Sequence, residues 1–92
     1  MIRIALVEDE DIYVKQMQKY LEQYSRENGL KINLKVFGDG EDILEYYTGQ
    51  YDIILLDIQM QFMDGMTAAE KIRELDPKVI LIFVTNMVQY AV

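Results

Sequence analysis

A chain of 92 residues, 51% hydrophobic and carrying a net charge of −7, has room for one folded domain and is too apolar to be disordered. The acidic excess opposes binding to nucleic acid or to an anionic membrane surface, both of which need a basic face. The chain has neither cysteine nor histidine. Disulfides, thiol nucleophiles, serine–histidine triads and histidine-ligated zinc are therefore excluded, and chemistry must rest on carboxylates, hydroxyls, amides or lysine.

The first element is the apolar, β-branched run from Ile2 to Val7, which ends abruptly at Glu8, Asp9, Glu10 and Asp11. It reads as a buried strand. The N-terminus lacks the basic start and small-residue cleavage site of a secretory signal, and no apolar run approaches the ~20 residues that span a membrane. A cytoplasmic protein is expected. Tyr13, Met17, Tyr20, Leu21 and Tyr24 follow at the spacing of one helix face, closed by Asn28 and Gly29. This stripe is expected to be core packing.

From Lys31 to Phe37, Ile32, Leu34 and Val36 alternate with Lys31, Asn33 and Lys35, the pattern of a half-buried edge strand. Gly38, Asp39 and Gly40 form a turn, with Asp39 as cap of a short helix carrying Ile43, Leu44 and Tyr47 and ended by Gly49. Asp52 leads into Ile53 to Leu56, an apolar strand with Asp57 at its C-terminal end. A loop from Ile58 to Gly65 contains Met60 and Met63. Thr67 to Glu70 has the form of a capping box, and Asp64 is an equally good cap for the same helix. Ala69, Ile72 and Leu75 supply its apolar side, and Pro77 prevents its continuation. Val79 to Val84 is a fourth apolar strand, followed by Thr85 and Asn86. Met87 to Val92 suits the first turns of another helix.

Strands that alternate with helices imply a parallel sheet with right-handed crossovers and helices on both faces. In such a sheet, sites lie just beyond the C-terminal ends of the strands. Those positions hold Glu8 and Asp9 after the first strand, Asp57 after the third and Thr85 after the fourth. Three converging carboxylates repel one another, and a hard divalent cation relieves that repulsion. Oxygen-only ligands favour Mg2+ or Mn2+. A carboxylate beside such a cation is a competent nucleophile toward phosphorus. Plainer readings stand beside this one. Glu8 and Asp9 equally suit the start of a helix, Asp57 suits a strand-end cap, and Thr85 alone carries little signal.

The segments Val7-Glu8-Asp9-Glu10, Leu55-Leu56-Asp57-Ile58-Gln59-Met60 with Met63-Asp64-Gly65, and Val84-Thr85-Asn86 together resemble the receiver domains of bacterial response regulators. The likeness runs over the whole chain, 1–92, as one phosphoacceptor domain. It implies a flavodoxin-like, doubly wound parallel sheet with strand order 2-1-3-4-5. By the same resemblance Asp57 is the phosphorylated residue. Glu8, Asp9, Asp57 and the main-chain carbonyl of Gln59 hold Mg2+, and Thr85 is the switch hydroxyl. A sensor histidine kinase is the phosphoryl donor, and the output is a transcription domain outside this chain. Ile82 to Asn86, with Tyr90 to Val92, look most like receivers that precede LytTR-type DNA-binding domains. Gln61 stands where the family usually has proline.

Against the family pattern the sheet is expected to be incomplete, with four strands. A C-terminally truncated receiver is expected, one that stops before the fifth strand with its lysine and aromatic partner and before the last helix. Such a sheet would leave residues 79–84 as an apolar edge, open to a second copy or to exchange of elements. The main alternative is a degenerate receiver that serves as a protein-binding or dimerisation module without phosphorylation. A phosphatase of the haloacid dehalogenase class would want an acid where Gln59 stands, and a flavodoxin would want Gly, Ser or Thr where Glu8 to Asp11 stand. No enzymatic turnover is expected beyond the acceptor's own phosphorylation and dephosphorylation.

Overall fold

The computed structural model of the protein describes residues 1–58 and 63–84. Gln59, Met60 and Gln61, Thr85 and the helical turns expected over 87–92 lie outside these residues. The element order is β1 (Ile2–Val7), α1 (Asp11–Asn28), β2 (Ile32–Phe37), α2 (Gly40–Glu45), β3 (Ile53–Asp57), α3 (Gly65–Leu75) and β4 (Ile80–Val84). All strand pairs are parallel, in the order β2-β1-β3-β4. This is the flavodoxin-like order expected, with β2 at one edge of the described sheet.

The sheet divides the core in two because side chains alternate across it. On one face Ile4, Leu6 and Leu55 pack with Val14 of α1, flanked by Met17 and Leu21. On the other, Ala5, Val7, Ile54 and Leu56 pack against Ile43 of α2 and Ala68, Ala69 and Ile72 of α3. Central strands buried on both faces are continuous apolar runs, which is how β1 and β3 read in the sequence. Fully burying an Ile or Leu contributes roughly 1.5–3 kcal/mol. Ile54, Leu56 and Ile72 are all at 0% exposure and anchor the β3–α3 unit on which the site stands.

Local signals fix the helix ends. Gly29, with φ 61°, closes α1 in the left-handed conformation, its N–H donating to the Ser25 carbonyl. Asp39 caps α2 by accepting from the Glu41 N–H. At α3 the cap is Asp64, which accepts from the Thr67 N–H at 2.8 Å, so of the two candidate starts Asp64 prevails.

Some expectations are corrected. Tyr20 and Tyr24 are exposed and are not core. The sequence stripe mixed two faces, and the one against the sheet is Val14, Met17 and Leu21. Leu75, at the last position of α3, is exposed as well, because the helix ends there and Asp76 turns the chain away. Tyr47 falls after α2, yet it packs against the core, and its hydroxyl donates to Asp76 at 2.8 Å. Val79 is buried but precedes β4.

Candidate metal and phosphoacceptor site

The parallel register sets the site. Val7 of β1 pairs with Leu56 of β3, so the residues that follow each, Glu8 and Asp57, emerge side by side at the C-terminal edge. The Glu8 N–H continues the ladder by donating to the Phe37 carbonyl at 3.0 Å. Its side chain turns back, and Oε1 accepts from the Glu10 N–H at 3.0 Å. Glu10 is the N-cap of α1; the N–H groups of Tyr13 and Val14 donate to its carbonyl. Glu8 and Asp9 therefore precede α1 and face the site, which decides against reading them as the first turn of a helix.

Glu8, Asp9 and Asp57 each offer a carboxylate oxygen, and these atoms lie within 4.8 Å of one another. Glu8 is buried at 8% exposure, Asp57 is half-buried and Asp9 is exposed. Burial pushes the Glu8 carboxyl up to about 7, and the charges of Asp57 and Asp9 push in the same direction against the opposing Glu10 N–H. The shift is first the cost of burying a charged carboxyl, with repulsion from the two neighbouring acids added to it. The donor set is oxygen only, from hard anionic groups, and it fits a Mg2+- or Mn2+-sized cation that restores ionisation of Glu8. Among the described residues no other group of three acids is placed to hold a metal. The Arg3–Asp52 ion pair, at 3.3 Å, sits at the opposite edge of the sheet and is exposed.

Residues 4–92 match the family model of the response regulator receiver domain. The chain belongs to that family. Among curated relatives of this receiver domain, the transcriptional regulatory protein DltR of Streptococcus agalactiae is 34% identical over 85 residues, covering 91% of this chain and 35% of DltR. The transcriptional regulatory protein PcoR of Escherichia coli is 36% identical over 86 residues, covering 92% of the chain and 35% of PcoR. The autoinducer 1 sensor kinase/phosphatase LuxN of Vibrio harveyi is 32% identical over 76 residues, 82% of the chain and 8% of LuxN. The chain thus spans about a third or less of these relatives. Among solved structures, the response regulator TrrA of Thermotoga maritima, in complex with Mg(2+)-BeF, superposes with a TM-score of 0.81 at 26% identity, over 98% of this chain and 74% of TrrA.

The receiver fold brings together Glu8, Asp9 and Asp57 of the expected site residues, while Gln59 and Thr85 lie outside the described residues. Sequence reasoning missed two features of the site. One is the hydrogen bond from the Glu10 N–H back to the Glu8 carboxylate; the other is the contact of Gly65 with the end of β3. Each uses a backbone N–H as donor, which any residue but proline supplies, so the sequence does not mark it. Among the described residues no helix is long and apolar enough to cross a membrane.

Proposed function

We propose that this receiver domain, acting as one unit over residues 1–92, accepts a phosphoryl group on Asp57. The observation that carries the proposal is the half-buried Asp57 carboxylate at the end of β3, with an oxygen within 4.8 Å of those of Glu8 and Asp9. Glu8, Asp9 and Asp57 would hold Mg2+, which Mn2+ can replace, and the Gln59 carbonyl would add a ligand. When bound, the cation neutralises charge on the transferring phosphoryl group. Asp57 supplies the nucleophile. One carboxylate oxygen bonds to phosphorus as the bond from phosphorus to the donor breaks, leaving an acyl phosphate on β3 and the electron pair on the leaving group. Thr85 would donate to the new phosphate oxygens.

The donor proposed is a sensor histidine kinase, and the output is control of transcription. LuxN as a sensor kinase, and DltR and PcoR as transcriptional regulators, support that pairing, and the Mg(2+)-BeF complex of TrrA supports the metal. A cytoplasmic setting follows from the same reading. So does an acceptor role in place of turnover, since Gln59 offers no acid two residues after Asp57. Trapping the acyl phosphate with borohydride and mapping peptides tests the site. Modification should fall on Asp57, and modification at Glu8 or Asp9 would overturn the assignment.

A self-association reading rests on a separate observation. Among the described residues β4 pairs on one side only, with β3, and Ile80, Ile82 and Phe83 are 55%, 44% and 40% exposed. We propose that a second copy pairs along residues 79–84.

A further inference from the structure

The connection that leaves β3 comes back to it at Gly65, whose N–H donates to the Ile58 carbonyl at 2.9 Å. The two backbones approach so closely there that a Cβ on Gly65 would lie 2.2 Å from the Asp57 carbonyl oxygen. It would also lie 2.9 Å from the Asp57 carbonyl carbon and 3.0 Å from the Ile58 Cα. All three obstructing atoms are backbone, so no side-chain rotation relieves them. Gly65 is buried, and it is not among the glycines with positive φ, so the position demands space and not backbone freedom. Gly40 is also crowded, by the Ala68 Cβ at 2.8 Å and by the Met63 side chain, but those contacts join α2 to α3 and do not involve the backbone that carries Asp57.

Building on the phosphoacceptor reading, we propose that Gly65 is a positioning residue for the metal and phosphoryl site: by lacking a side chain it lets the start of α3 clasp the end of β3 and hold the Asp57 carboxylate opposite Glu8 and Asp9. A side chain here must push the Asp57 main chain aside. Metal sites hold their ligand distances to about 0.2 Å, and a misplacement of about 1 Å can cost roughly a hundredfold in rate. Alanine at Gly65 should therefore act on the site beyond its effect on folding.

The test compares wild type, Gly65→Ala and Val79→Ala. Val79 is buried just before β4, at the N-terminal end of the strands and so at the far end of the sheet from the carboxylates, and its truncation reports destabilisation alone. Calorimetric titration with Mg2+ should show at least a tenfold weaker Kd for Gly65→Ala, and its phosphorylation by a small-molecule donor should stay slower at saturating Mg2+. Val79→Ala should remain within about twofold of wild type in both. A folded Gly65→Ala that binds Mg2+ and reacts as wild type does would overturn the inference. Should Gly65→Ala fail to fold, hydrogen exchange in wild type decides. Opening of the Gly65–Ile58 contact should also dismantle the site, so Mg2+ at a hundred times its Kd should slow exchange of the Gly65 amide about a hundredfold. An unchanged exchange rate would overturn the coupling. If wild type binds no Mg2+ at all, it is the phosphoacceptor reading that fails, and this inference falls with it.

Discussion

Replacing Asp57 by asparagine should make the metal-free protein more stable, although it removes the proposed acceptor. Glu8, Asp9 and Asp57 carry carboxylate oxygens within 4.8 Å of one another. Two unit charges at that distance repel by roughly 1 kcal/mol with the screening of bulk water and by roughly 3.5 kcal/mol at an effective dielectric constant of about 20. Glu8 is buried and Asp57 half-buried, so the relief from Asp57→Asn should fall between these limits. About 1–2 kcal/mol is expected at a pH above 7, where Glu8 is ionised. Each kcal/mol moves the midpoint of a domain this size by roughly 4–8 °C. Thermal unfolding followed by circular dichroism, in chelator and in saturating Mg2+, reads the effect. In chelator the variant should melt higher. In Mg2+ the order should reverse, because wild type gains about 2.7 kcal/mol at a hundred times its Kd while the variant, short of a ligand charge, gains less. An unchanged or lower midpoint for Asp57→Asn in chelator would refute the claim that the three carboxylates strain one another.

Glu8 has a folded-state value of about 7 against 4.5 when unfolded, so its protonated form stabilises the metal-free fold below pH 4.5, and that contribution is lost as pH rises through about 7. Mg2+ affinity should accordingly climb by up to tenfold per pH unit below about 7 and level off above, a slope that Glu8→Gln should abolish in calorimetry. Ile72→Ala, at a fully buried position against Leu56 and Val7, should cost about 2–4 kcal/mol in urea unfolding; a loss under 1 kcal/mol would mean that the α3–sheet contact is looser than described. Ile82→Lys should abolish concentration-dependent self-association in sedimentation, and a wild-type protein that stays monomeric at high concentration would end the edge-pairing proposal.

The elements were legible where one physical cause dominated. The runs Ile4–Val7 and Ile53–Leu56 are apolar throughout because those parts of both strands are covered on both faces, and the charged residues that end them mark the sheet edge where the site lies. Glu8, Asp9 and Asp57 could be brought together from topology alone, since parallel strands start their loops at one edge. Helix faces were less legible. Tyr20 and Tyr24 share approximate helical spacing with Met17 and Leu21, and an amphipathic tyrosine tolerates either side. Only Val14, which the periodic reading passed over, is buried on α1. The rivalry between Asp64 and Thr67 as cap turned on which backbone N–H was left unpaired, a matter of geometry. Gly65 was legible as a motif member but not as a contact, because the crowding that demands glycine comes from the backbone of Asp57, eight residues earlier in the chain.

The most direct test is the intact mass of the protein after incubation with a small-molecule phosphodonor, with and without Mg2+, beside Asp57→Asn. A single phosphoryl adduct that needs Mg2+ and is absent from the variant is the result this account predicts. A folded, Mg2+-binding protein that gains no adduct, or an adduct that survives in Asp57→Asn, would contradict it.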